Sequence, residues 1–227
     1  MTLMTIGNHM YFDEVRPGDR KFYASPSRLF EYYCNSVYVT DQALKILFDR
    51  IKKDPLYDDS VFIITGDHPF PLGEHGLVSN EAAFYEEFYK VPFLIVGKGI
   101  RPERISGCAY SHLDLAPTIA DLAGCSVKRT HWTGVSILRP EKRKHFLFLV
   151  QPYSGRFLTV IDYPYKYTKH LRTGDEYLFD LQEDPAEMNN LVGDGRFSKE
   201  KDTLRGALKT VFLNQRLLEE DRIWDGS

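Results

Sequence analysis

VFIITGDHPFPLGEHG, residues 61–76, begins with a five-residue run of apolar and β-branched side chains and passes directly into an acidic residue and a histidine. A strand that is apolar at successive rather than alternate positions suits a sheet covered on both faces. Open α/β sheets place their ligands beyond the carboxyl ends of such strands, which is where Asp67 and His68 fall. Gly66 allows a sharp turn just before them. A carboxylate beside an imidazole pairs a hard oxygen with a borderline nitrogen, a donor set that suits Zn²⁺ or Mn²⁺ better than Ca²⁺ or Mg²⁺. The same dipeptide also reads as a strand-end turn closed by a hydrogen-bonded histidine.

Upstream, residues 1–6 (MTLMTI) read as a short strand that delivers Gly7, Asn8 and His9 to a loop. From Ser25 the pattern turns helical, with Ser25 as a cap and Pro26 at the first helical position. Phe30, Tyr33, Val37, Leu44, Leu47, Phe48 and Ile51 then recur at helical spacing, and Asp54-Pro55 stops the helix near Lys53. Downstream of the GDH loop the sequence predicts a short helix over 80–90, a second buried-type strand over 91–96, and a helix from Asp114 to Ala123 closed by Gly124. This alternation predicts a parallel sheet covered by helices. Beyond about residue 144, HFLFLV, FLTVID, YPYKYTKH and EYLFDL are short β-type runs separated by turn residues such as Ser154-Gly155, which predicts an antiparallel meander. A last helix over roughly 198–220 is expected to lie on it. The division expected is thus a core over 1–144 and a smaller β subdomain over 145–227.

With 43% hydrophobic and 27% charged residues and a net charge of −3, the chain has the makings of a packed core and no general attraction for nucleic acid. The one basic run, Arg139 to His145, reads as a solvated linker. Cys34, Cys108 and Cys125 form neither a CxxC pair nor an even disulfide set, and Cys34 is expected as a buried free thiol. No apolar run approaches the ~20 residues of a membrane span, and residues 1–12 lack the charged and apolar regions of a signal peptide, so this portion is expected to be soluble.

Four motifs in order carry a resemblance: TIGNHMYF; the long helix leading into DDSVFIITGDH; KVPFLIVGKGI followed by SHLDLAPTIADLAG; and EYLFDLQEDPAEMNNL. Together they cover nearly the whole chain. They resemble the C-terminal part of the sulfatase-like branch of the alkaline phosphatase superfamily, most closely the lipoteichoic acid synthase and phosphoethanolamine transferase group. The resemblance implies half of an α/β/α sandwich followed by a small antiparallel sheet and helix. It also implies that Asp67 and His68 bind the metal and that His9 contacts the substrate's phosphate. Glu74 and His75, in LGEHG, and His112, in SHLDLAPT, would line or rim the pocket. Asp114 reads as a helix cap, Lys90 as a solvated helix-end charge, and the run Glu183 to Asn190 as a structural turn.

Metal-assisted chemistry of this family uses a hydroxyl nucleophile that forms a covalent intermediate. In the resemblance that nucleophile, and another acidic ligand, lie well before the Asp-His pair, and no such element is recognised in the 66 residues ahead of Asp67. Ala24-Ser25-Pro26-Ser27-Arg28 is similar to a sulfatase motif but places an alanine at the reacting position. The expectation is therefore the C-terminal portion of a phosphoglycerol or phosphoethanolamine transferase-like enzyme, inactive by itself. The alternatives are a portion of a sulfatase or phosphodiesterase, or a binding module that keeps the fold without catalysis. The expected partners are a phosphate or sulfate ester, possibly lipid-linked, the preceding half of the same protein, and a second copy meeting an exposed sheet edge. The transferase resemblance would place the parent on the extracytoplasmic face of a bacterial membrane.

Overall fold

The computed structural model describes residues 1–227 apart from 23–26, 80–82, 126–131, 140–145, 152–156 and 220–227, with backbone alone for 212–219. It divides into two units, one made of Met1–Gly66, Pro71–Val78 and Pro92–Arg101, the other of Asp67–Phe70, Ser79–Val91 and Pro102–Ser227.

In the first unit, helix α1 spans Arg28–Ile51. Ser27 caps it, its hydroxyl accepting from the Phe30 N–H at 3.1 Å; the expected cap Ser25 and first-turn Pro26 lie outside the described residues. Asp54-Pro55 ends the helical stretch as expected, with Asp54 capping a 3₁₀ turn by accepting from the Leu56 N–H at 2.9 Å. Strands β1 (Val61–Thr65) and β2 (Phe93–Gly97) follow. Phe62 packs between Phe48 of α1 and Tyr57, with centroids 5.3 and 5.9 Å away. Asn35 of α1 is buried and fully engaged: its Oδ1 accepts from the Lys21 and Phe22 N–H groups at 2.7 and 3.0 Å, and its Nδ2 donates to the Phe22 and Glu31 carbonyls.

The parallel pairing predicted for these strands is wrong: β1 and β2 are antiparallel, with Thr65 opposite Phe93 and Val61 opposite Gly97. A parallel pair needs a crossover, usually a helix. The connection here leaves and returns at the same end of the ladder, and its described part holds only the 3₁₀ turns Glu74–Gly76 and Glu86–Phe88 where a helix over 80–90 was expected. An apolar run reports burial, and strand direction is a separate matter. Residues 1–6 form no strand and are exposed, and Cys34 is half-buried rather than buried.

In the second unit, β3 (Leu147–Val150), β4 (Phe157–Asp162), β5 (Tyr165–His170) and β6 (Glu176–Asp180) make the expected antiparallel meander, in sequential order. Period-2 alternation sends Val160, Tyr167 and Leu178 to one face, where they pack on Leu204 and Leu208 of helix α3 (Ser198–Glu219). Phe157 and Phe179 face the other way and pack on Phe84. Helix α2, Leu115–Leu122, appears where the sequence predicts it.

Candidate functional site

The turn after β1 decides the state of its two candidate ligands. The His68 backbone N–H donates to Asp67 Oδ1 at 2.9 Å. That bond holds the Asp67 carboxyl below the usual carboxylate range, against a smaller opposing effect of desolvation; the His68 and His112 imidazoles add weaker electrostatic pulls in the same downward direction. The His68 Nδ1 lies 3.0 Å from the Pro69 carbonyl oxygen. A carbonyl only accepts, so Nδ1 carries a proton, and in the neutral ring the lone pair is then on Nε2. This carbonyl-oriented tautomer is the one metal-binding histidines commonly use. Nε2 lies 3.8 Å from Asp67 Oδ2, on side chains that are 53% and 76% exposed respectively. One ion about 2.0–2.2 Å from each atom can span that gap, so the pair fits a divalent metal. Among the described residues no group of three or more His, Cys, Asp or Glu is placed to hold one ion.

His112 belongs to the same unit as Asp67 and His68 and is within electrostatic reach of Asp67. It opens a 3₁₀ turn, His112–Asp114, closed by a capping box: the Ser111 hydroxyl accepts from the Leu113 N–H, and Asp114 Oδ2 accepts from the Ser111 N–H at 2.8 Å. Asp114 is thus the N3 member of a box capped by Ser111 and not, as expected, the cap of α2, for which its side chain makes no capping bond; its Oδ1 accepts from the Val135 N–H at 2.8 Å. Chain 132–139 runs so close that a Cβ on Gly134 would sit 2.0 Å from the Leu113 carbonyl oxygen.

His9, Glu74 and His75 lie in the other unit. His9 is exposed in a turn in which its N–H donates to the Ile6 carbonyl and its own carbonyl accepts from the Phe12 N–H, both at 2.9 Å. Its Nδ1 donates to the Met10 carbonyl oxygen at 2.7 Å, leaving Nε2 for another partner. Glu74 is exposed, and its Oε2 accepts from the Leu72 N–H at 2.6 Å, shaping the turn. The backbone there is left-handed at Gly73 (φ 123°) and at half-buried His75 (φ 50°). Lys90 is exposed, in keeping with a solvated charge.

One polar centre escaped the sequence reading. Lys166 of β5 is fully buried, its Nζ 2.8 Å from Glu187 Oε1, 3.2 Å from Glu86 Oε1 and 5.4 Å from the Tyr89 ring centroid. Glu187 Oε2 accepts from the Glu86 N–H at 2.5 Å. Burial pushes the Glu187 carboxyl up, partly offset by Lys166, and pushes the Tyr89 hydroxyl up to about 12. The cluster ties 83–89 and the turn at 184–190 to β5. The alternation of YKYTKH puts Lys166 and Lys169 on opposite faces, but only the packing reveals that the Lys166 face is closed.

The sulfatase family model matches residues 1–125, and the model for the C-terminal region of N-sulphoglucosamine sulphohydrolase matches 73–214. A delta 4,5-hexuronate-2-O-sulfatase of Bacteroides thetaiotaomicron is 31% identical over 185 residues, which are 75% of this chain and 37% of that protein. Lipoteichoic acid synthase 2 of Bacillus subtilis is 30% identical over 191 residues, 80% of this chain and 29% of that protein. A solved structure from the alkaline phosphatase superfamily of Vibrio parahaemolyticus superposes with a TM-score of 0.67 at 18% identity, over 95% of this chain and 48% of the other, and so shows the shared fold. The chain spans 37% and 29% of the length of these two curated relatives. With a family model matched over more than half its residues, the chain belongs to the sulfatase family.

Proposed function

We propose that this chain contributes the Asp67–His68 metal-binding element to an enzyme that hydrolyses sulfate esters. The observation that carries the reading is the pair itself, held with one ionised carboxylate and one available imidazole nitrogen in a sulfatase-family chain. A divalent ion bound there, Mn²⁺ or Zn²⁺, would polarise a sulfate oxygen and favour ionisation of a hydroxyl nucleophile. Asp67 and His68 would hold that ion, and His112 adds an imidazole within electrostatic reach of Asp67; His9, in the other unit, is the residue that the family resemblance assigns to the ester's anionic group. Glu74 and His75, in the same unit as His9, are assigned to a pocket rim by that resemblance alone. The nucleophile is assigned to no residue of 1–227. Sulfated hexuronates, named for the Bacteroides relative, are the first substrates to try.

Transfer of a phosphoglycerol-type group is the second reading, favoured by the similarity to lipoteichoic acid synthase 2. Placement at the outer face of a bacterial membrane belongs with that reading; among the described residues no helix is long and apolar enough to cross a membrane. The test is sulfate release from sulfated uronates, beside glycerol phosphate release from a phosphoglycerol donor, by the complete reading frame containing this sequence and by its Asp67→Asn variant. Sulfate release lost in the variant supports the proposal. Phosphoglycerol release alone supports the second reading, and metal binding with neither activity replaces both with a binding module.

A further inference from the structure

The Asn8–Phe12 turn that presents His9 is tied to α1 at both ends. At one end the Thr40 hydroxyl donates to Asn8 Oδ1. At the other, the Phe12 ring packs edge-on against Tyr33, with centroids 5.4 Å apart and planes at 79°. Tyr33 and Thr40 are seven residues apart, which places them on one face of α1 and about 10 Å apart along its axis. Phe12 is 3% exposed and has a left-handed backbone (φ 61°), unfavourable for a bulky residue unless its surroundings hold it there. The exposed His9 stands between these two anchors, its ring fixed further by the bond to the Met10 carbonyl.

We propose that Tyr33 and Thr40 are positioning residues for His9, setting the placement of its imidazole by gripping the two ends of its turn. Tyr33 is also within electrostatic reach of Glu74, so the same side chain adjoins the Gly73–Gly76 turn. The geometry needs the Tyr33 ring and the Thr40 hydroxyl. Tyr33→Phe and Thr40→Ser retain the grip; Tyr33→Ala and Thr40→Val release it. The functional consequence rests on the reading of His9 as a contact for the anionic group.

The experiment follows the His9 imidazole signals in histidine-edited NMR spectra and, on the same Zn²⁺-loaded samples, the affinity for inorganic sulfate, with His9→Ala as reference. Thr40→Val and Tyr33→Ala are expected to move the His9 signals while leaving those of His112 and His170 in place. They should weaken sulfate binding by about tenfold or more, toward the His9→Ala value, as misplacement of a contact group does. Thr40→Ser and Tyr33→Phe should restore both. Unmoved His9 signals in Thr40→Val, an isosteric change that keeps the fold, would overturn the proposal. If His9→Ala itself leaves sulfate affinity unchanged, the role of His9 in the proposed function fails, while the grip on its turn is still judged by the ring signals.

Discussion

Asp67 Oδ2 and His68 Nε2 lie 3.8 Å apart at the end of a single turn, each side chain already committed to a backbone group through its other polar atom. A metal needs both as bases, so proton competition sets its affinity. The Asp67 carboxyl is held below the usual carboxylate range by the His68 N–H, so it is a base available to the metal at neutral pH. Zn²⁺ affinity measured at neutral pH is therefore expected to depend on both side chains. Asp67→Asn should lower that affinity about tenfold or more, and an unchanged affinity would show that the carboxylate is not a ligand.

Lys166 and Glu187 make a second prediction. Removing one member of a buried ion pair strands the other, at about 3–5 kcal/mol. Lys166→Met should lose that much in urea unfolding, because Glu187 and Glu86 are then left without their shared cation. Adding Glu187→Gln should recover much of the loss. The Glu187 carboxyl is already raised in the folded protein, so the folded state holds its proton more tightly than the unfolded chain does. The stability of Lys166→Met is thus expected to fall as pH rises above about 4.3, where the unfolded carboxyl ionises, until the folded one has ionised too.

At Asp114 the prediction concerns architecture. Its carboxylate accepts from both the Ser111 and Val135 N–H groups, so Asp114→Ala breaks the capping box and leaves two backbone donors without their acceptor, costing about 2 kcal/mol in thermal or urea unfolding. Gly134→Ala should be at least as damaging, since the obstacle is the Leu113 backbone carbonyl rather than a flexible side chain. A Gly134→Ala protein as stable as the parent would mean that 132–139 does not run against Leu113.

The meander was legible because its strands carry a local signal: β-branched and aromatic runs cut by turn residues. The turn that carries Asp67 and His68 was legible because an apolar strand empties directly into it. The direction of β2 was not, because the pattern of 91–96 is the same whichever way the strand runs, and the connection that decides it lacks strong periodicity. Lys166 was hidden for a related reason: a lysine in a strand reads as solvated until the opposing Phe84–Tyr89 segment is known to cover it. The anchors on α1 were also invisible, since Tyr33 reads as an ordinary member of the apolar stripe and Thr40 as a neutral helix position.

The most direct test of the central claim is calorimetric titration of the chain with Mn²⁺ and Zn²⁺, beside a variant carrying Asp67→Asn and His68→Ala. The account predicts one weak site per chain, as two protein ligands allow, abolished in the double variant. Binding of equal strength in the variant would contradict it, because the metal would then be held by residues other than the pair at the end of β1.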